Sequence, residues 1–117
     1  MELFDTTQLG LERALSGAAV RQSAIAENLA NVSTPGYRRQ DVDFHSALRS
    51  AFAAGREAVE GAAIRVTTDP AAPMRQDGNS VDADVENAEQ ARNGLEYEAI
   101  ASVMKARSDV LRAAIGI

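Results

Sequence analysis

The sequence has 117 residues, 12 basic against 17 acidic side chains for a formal charge of −5, and no cysteine. These values exclude more than one domain, disulfide or thiolate chemistry, and a basic surface able to neutralise phosphates. No nucleic acid is therefore expected as a partner, and with no apolar run near the roughly 18 residues of a membrane span, the chain is not expected to cross a membrane.

Hydrophobic residues make up 45% of the chain, yet 23 of them are Ala, while Leu, Ile, Val and Phe together number 25. Ala favours helix and costs no side-chain entropy, but it brings little apolar area to bury. The composition describes a helix-rich chain with a thin core, one that needs a partner or copies of itself to hide its apolar faces. The segment Met1–Gly10 carries Glu2 and Asp5 and lacks a basic and then apolar run, so it is not expected to act as a cleaved secretory signal.

A first helix is expected over 5–31. Alternate steps of four and three from Phe4 reach Gln8, Leu11, Leu15, Ala18, Gln22, Ile25, Leu29 and Val32, a heptad seam. Asp5 or Thr6 can cap its start, and Asn31, a residue tolerant of left-handed backbone, marks its stop. Thr34-Pro35-Gly36-Tyr37 then reads as a type II turn, with Pro35 at the second position and Gly36 supplying positive φ at the third.

The segment 32–44 is expected to be turn and extended chain, with Val42 and Phe44 alternating as in a strand. A short helix over 45–54 follows, capped by Asp43, with Phe44, Leu48, Ala51 and Phe52 on one face. Residues 55–83 are punctuated by Gly55, Gly61, Pro70, Pro73 and Gly78, and only Ile64–Thr68 looks like a strand.

A second long helix is expected over 84–115. Asp82 and Asp84 are its candidate caps, Glu86 complements the dipole near its start, and Lys105, Arg107 and Arg112 do so near its end. Leu95, Ala99, Val103, Ala106, Val110, Ala113 and Ile117 form its stripe, widened by Ile100, Met104, Leu111 and Ala114. Gly94 interrupts it at a cost of about 1 kcal/mol relative to Ala, which points to a bend or a close helix contact.

The expected fold is mainly α: one domain, 1–117, whose long terminal helices pair as an antiparallel coiled coil around an irregular middle segment with a short helix and one or two short strands. Each terminal helix would be roughly 40–45 Å long, more than the diameter of a compact domain this size. Either the middle segment supplies a third layer to a small bundle, or the helices complete their packing against neighbouring subunits.

Catalytic chemistry finds little support. His45 is the only histidine, with no phosphate-binding glycine loop and no nucleophile elbow elsewhere. An EF-hand loop begun at Asp77 would need Gly at its sixth position and Glu at its twelfth, where Asp82 and Ala88 stand. The acidic run 77–86 is better read as a turn and a helix cap, and Asn31-Val32-Ser33 as a chance glycosylation triplet. No enzyme activity, metal or cofactor is expected.

Two blocks carry a resemblance. Asn28-Leu-Ala-Asn31-Val-Ser-Thr34-Pro35-Gly36-Tyr37, continued by Arg38-Arg-Gln-Asp41-Val42-Asp43-Phe44, is similar to the N-terminal signature of the flagellar rod and hook axial proteins. Asp77-Gly78-Asn79-Ser80-Val81-Asp82, leading to Glu86, Asn93, Leu95 and Tyr97, resembles the proximal rod members of that family. The match covers both terminal helices and their junctions, and residues 53–75 match nothing specific.

The resemblance implies a structural subunit that self-assembles through its terminal helices in a tubular rod, part of the shaft joining the membrane ring to the distal rod and hook. Its implied partners are other copies of itself, rod proteins of the proximal C and F types and the distal G type, the MS-ring protein and the ring–rod junction protein. It also implies passage through the flagellar type III export apparatus, without a cleaved signal, to a rod in the periplasmic space. The assembly residues are then Asn28, Asn31 and Thr34 to Tyr37 with Val42 and Phe44, and the packing residues those of the two stripes. Asn79, Val81, Asp82, Asp84 and Glu86 form the entry to the second helix. A soluble helical binding module, such as an export chaperone or adaptor, is the rival reading.

Overall fold

Asp5 sits in extended backbone and accepts the Gln8 N–H at 2.9 Å, which starts helix α1 (Thr6–Ala30). The structure, a computed structural model, describes residues 5–116, so Phe4 and Ile117, the outer ends of the two expected stripes, lie outside the described residues. Strand β1 (Gln40–Val42), helices α2 (His45–Ala54) and α3 (Arg56–Glu60), strand β2 (Val66–Thr68) and helix α4 (Ala83–Ile115) follow. The molecule is a slab of 61 × 28 × 14 Å, long in the direction of its two main helices.

Helix α1 is the spine, covered on two sides. Its buried positions include Gly10, Gly17 and Ala24, one every seven residues, with Ala18 and Ile25 beside the last two. This row of small residues is where α2 and the strand before it lie down. The ring of Phe44 rests on Gly17, where a Cβ would come within 2.5 Å of it, and the ring of Phe52 rests on Gly10. Phe44, Val42 and Leu48 join Ala18 and Ala24 in the core, with Ala14, Val20, Ala62 and Ile64 packed at its margin. Phe52 stays 44% exposed although its ring covers the helix, because only one of its faces is in contact.

Helix α4 lies antiparallel on the other side of α1. Arg107 reaches Asp5 at 3.0 Å, Asn93 donates to the Ala18 carbonyl at 2.9 Å, and Arg21 meets Glu89 at 3.1 Å. Since Glu89 lies near the start of α4 and Arg107 near its end, the order of these pairs along α1 runs backwards. The face of α4 turned to α1 carries Glu86, Glu89, Asn93, Glu96, Ile100, Met104, Arg107 and Leu111, all buried or half-buried.

That face differs from the expected stripe. Leu95, Ala99, Val103, Ala106, Val110 and Ala113 are all exposed, Leu95 by 69% and Val110 by 68%. The physical reason is rotation about the helix axis. Asn93 and Glu86 find hydrogen-bonding and ionic partners only by facing α1 and the turn at its end, and a buried polar group left unpaired costs more than an exposed Val. The edge residues Ile100, Met104 and Leu111 take the apolar share of the contact.

The middle segment is more ordered than its composition suggests. Strands β1 and β2 pair antiparallel in the register Gln40 with Thr68, Asp41 with Thr67 and Val42 with Val66. The one-turn helix α3, not expected from the sequence, buries Val59 completely. Both α2 and α3 pack on α1, and α2 reaches α4 only through His45, which meets Glu96, so they do not complete a bundle around α4. Two smaller expectations also change: Asn31 ends α1 with φ −109°, not in left-handed backbone, and nothing approaches Gly94, whose Cβ position is open for 4 Å.

Gly17→Ala sets a helix-propensity gain of about 1 kcal/mol against overpacking of about 1–3 kcal/mol. The clash with the Phe44 ring wins, so the urea midpoint should fall, and adding Phe44→Leu should recover part of the loss. Asp5 gives a second test. Its bond from the Gln8 N–H, and then Arg107, hold its carboxyl below the usual 3.8. Its stabilising share is thus present above pH 3.8 and lost as pH falls through the lowered value. Asp5→Asn keeps the cap, and its stability gap from the parent should close in acid.

Candidate functional site

The last turn of a helix leaves four carbonyls without partners, and at the end of α1 two buried asparagines deal with the consequences. Asn79 is fully buried and its side-chain NH2 donates to the carbonyls of Asn31 and Thr34, both at 2.8 Å. Its Oδ1 accepts the Val81 N–H at 2.7 Å, which points the chain into α4. Asp77 in turn accepts the Asn79 N–H at 3.0 Å. The segment 75–81 is therefore a clasp over the C-terminal end of α1, reinforced by Arg75, which donates to the Val81 carbonyl at 2.7 Å and to the Val32 carbonyl.

Asn28, also fully buried, does the same for β1. Its carboxamide donates to the Gln40 carbonyl at 2.8 Å and accepts the Gln40 N–H at 2.9 Å, so a side chain stands in for a neighbouring strand. The Tyr37 hydroxyl donates to the same Asn28 Oδ1 at 3.2 Å. Burial, then the charges of Glu27 and Glu86, push the Tyr37 phenol up, which keeps it a proton donor here. Asn31 works locally, donating to the Glu27 carbonyl and accepting from the Thr34 hydroxyl.

Between these two anchors runs the turn. Tyr37 N–H bonds to the Thr34 carbonyl at 3.2 Å, and Gly36 has φ +77°. Gly36 also donates its N–H to Asp77 and lies against Gly78, where a Cβ would be 3.4 Å from the Gly36 Cα. Two glycines thus let the turn and the clasp touch backbone to backbone. Thr34, Pro35 and Gly36 remain exposed, free to meet another molecule.

One ion pair ties the junction to α4. Arg39 is buried, with its Nε on the Glu86 carboxylate and its Nη1 3.0 Å from Asp69. Burial alone would pull this guanidinium down, but Glu86, followed by Asp41 and Asp69, pushes it up. Glu86 is completely buried, and its second oxygen has no hydrogen-bond partner. Asp82 caps α4 by accepting from Asp84 and Val85 N–H groups. Asp84 stays exposed in the first turn, and Val81 is buried.

The structure therefore brings together Asn28, Asn31, Thr34 to Tyr37, Asn79, Val81, Asp82 and Glu86 at the C-terminal end of α1, while Val42 and Phe44 lie in the core beside α1, Phe44 over Gly17. Leu11, Leu15, Leu29 and Val32 of the first stripe are half-buried along α1, while Ala18 and Ile25 are buried. The stripe from Leu95 to Ala113 lies elsewhere, on the outer face of α4. Arg39, Arg75 and Ser80 were missed. The single visible hint was the place of Arg39 and Ser80 inside the two motif blocks, and Arg75, outside both, had none, since no local pattern reveals that positions 39 and 86 will meet. The carboxylates of 77–86 are spent on caps, turns and Arg39, and among the described residues no three His, Cys, Asp or Glu side chains are placed to hold a metal ion. His45, on the exposed start of α2, stacks on Phe44 and contacts Glu96.

Comparison with known proteins places this pair of long helices and its clasped turn among the flagellar basal body rod proteins. A family described as "Flagella basal body rod protein" matches residues 11–38, which run from the middle of α1 through the turn. The flagellar basal body rod protein FlgB of Salmonella typhimurium is 32% identical over 86% of this chain and 89% of its own. The FlgB of Bacillus subtilis is 30% identical over 96% and 95%, and that of Cereibacter sphaeroides 34% over 92% and 93%. The chain belongs to the FlgB family of flagellar basal body rod proteins. Its role is structural, that of a proximal rod subunit and not of an enzyme.

Removing the Asn79 side chain leaves the Asn31 and Thr34 carbonyls only the N–H groups of Thr34 and Tyr37 and strands the Val81 N–H, so Asn79→Ala should cost about 1–3 kcal/mol in urea unfolding. Glu86→Gln should cost about 3 kcal/mol, the low end for a broken buried pair because Asp69 remains beside Arg39. The double change Arg39→Met/Glu86→Leu should restore most of that loss. Gly36→Val forces a β-branched residue to positive φ and should lower both stability and the amount of chain found in isolated basal bodies.

Proposed function

We propose that the chain assembles into the rod through its terminal helices, with the outer face of α4 as the principal contact to neighbouring subunits. The observation that carries this reading is the uncovered row Leu95, Ala99, Val103, Ala106, Val110 and Ala113. It runs along a helix of 33 residues that is packed on one side only. A chain with so thin a core gains most of its buried area from several neighbours at once, and that area offsets the ordering entropy of the long helices. A contact that repeats by rotation and translation, without closing, builds an open-ended tube.

In this reading the neighbours are further copies and the rod proteins of the C, F and G types, with the MS-ring protein and the ring–rod junction protein at the base. The exposed Thr34-Pro35-Gly36 turn faces outward between subunits. The tube forms part of the shaft from membrane ring to distal rod in the periplasmic space, and its subunits arrive through the type III export apparatus without a cleaved signal. Among the described residues no helix is long and apolar enough to cross a membrane.

Leu95→Asp, Val103→Asp and Val110→Asp test the reading. Each side chain is exposed in the single chain, so urea unfolding should move by no more than about 0.5 kcal/mol. Incorporation into isolated basal bodies, read by immunoblot, and swimming in soft agar should both be lost. Normal rods built from any two of these variants would refute an α4-mediated contact.

A further inference from the structure

Halfway along the helix pair is a notch that the fold itself does not use. Its floor is Ala18, Ala19 and Gly94, and its rim Gln22, Tyr97 and Glu98. A glycine in the middle of a long helix costs about 1 kcal/mol against Ala, and it is usually repaid by a close neighbour, yet a Cβ at Gly94 would meet nothing within 4 Å. The space is kept open, and nothing among the described residues fills it.

The chemistry of the notch is one-sided. Glu98 is an exposed carboxylate, Tyr97 presents a ring that is 42% exposed, and no Lys or Arg lines the site. Below them Asn93 is 3% exposed and its Oδ1 has no hydrogen-bond partner. A carboxylate, an aromatic face and amide oxygens around a small-residue floor suit a guanidinium on an aliphatic stem.

The same helix carries the complement at its other end. After the Arg107–Asp5 contact, α4 continues for two turns past the start of α1. This tip exposes Arg112, for which no ion pair is found among the described residues, beside Ile115, which is 64% exposed and lies one turn further on the same side of the helix. The tip cannot fold back on the notch, because residues 98 and 112 are 14 positions apart on one straight helix, about 21 Å.

We propose that the notch receives the α4 tip of a second copy of the chain, with the second copy's Arg112 entering between Tyr97 and Glu98. Notch and tip are different surfaces, so the contact is heterologous: each copy offers one of each, and the series does not close on itself. The Arg112 stem lies over Gly94, while Ile115, on the same side of the tip, continues the contact beside it. The inference rests on the rod-subunit reading and gives it a register, a stagger of about 14 residues between neighbouring α4 helices.

Charge exchange and cross-linking test it in assembled basal bodies. Glu98→Arg and Arg112→Glu should each lower incorporation about tenfold or more, since like charges then face each other. The double variant Glu98→Arg/Arg112→Glu should recover most of it. The natural sequence has no cysteine, so Glu98→Cys/Arg112→Cys introduces the only thiols. Being too far apart to join within one chain, they should give a disulfide ladder of dimers and larger species in isolated rods. Gly94→Leu fills the notch and should reduce incorporation while the urea midpoint rises, since Leu is the better helix former and meets nothing in the single chain. A double charge variant no better than the single ones, or rods free of disulfide-linked dimers, overturns the proposal. If Leu95→Asp still abolishes incorporation in those experiments, the α4 contact stands and only this register is wrong.

Discussion

The carbonyls at the end of α1 are the constraint on which the rest of the molecule hangs. Beyond its last residue α1 passes into a turn whose carbonyls, those of Asn31, Val32 and Thr34, all accept from a fully buried Asn79, on a segment 48 residues past Asn31. Asn28 solves the converse problem for β1 by matching both backbone groups of Gln40. Because both solutions are side-chain carboxamides with fixed geometry, they specify position as well as supply energy. The turn, the strand and the entry to α4 are each held in one place relative to the helix. The Arg39–Glu86 pair then fixes the rotation of α4, because a carboxylate with no exposed surface must face its guanidinium.

That rotation has a functional consequence. With Glu86, Asn93 and Glu96 turned toward α1, the more apolar side of α4 is left facing outward. In a protein that worked alone this would be a poor arrangement, since polar groups take space inside while Leu95 and Val110 stand in water. In a subunit of the basal body rod it is economical. The intrachain contact is specified by hydrogen bonds and ion pairs, and the apolar surface is left uncovered, as the subunit contact proposed above requires. The small-residue row on α1 fits the same division, because Gly10 and Gly17 let two aromatic rings approach the helix backbone closely.

Much of this was legible in the residues. The Asp5 start of α1, the Thr34–Tyr37 turn with positive φ at Gly36, and the Asp82 cap of α4 depend on neighbours within four positions, and local chemistry is enough to read them. Helix α3 was hidden because five residues give no periodic signal, and Val59 is buried only because α1 passes beside it. The row Gly10, Gly17 and Ala24 is visible as a seven-residue repeat. It was overlooked because small residues register as missing hydrophobicity and not as a seat for an aromatic ring. The face of α4 was misjudged for a related reason: apolar periodicity identifies a surface that seeks burial without saying whether the cover comes from the same chain.

The sequence by itself determined the two long helices, where each begins, the turn between the first helix and the strand, and the poverty of the core. All of these follow from propensity, capping and composition, which act over a few residues or over the chain as a whole. Only the tertiary structure decided which side of α4 meets α1, that Asn79 closes the end of α1, and that Arg39 and Glu86 share a buried site. These are pairings between positions 47 or more residues apart. They are set by which polar groups must be satisfied together once water is excluded, and no single stretch of chain carries that information.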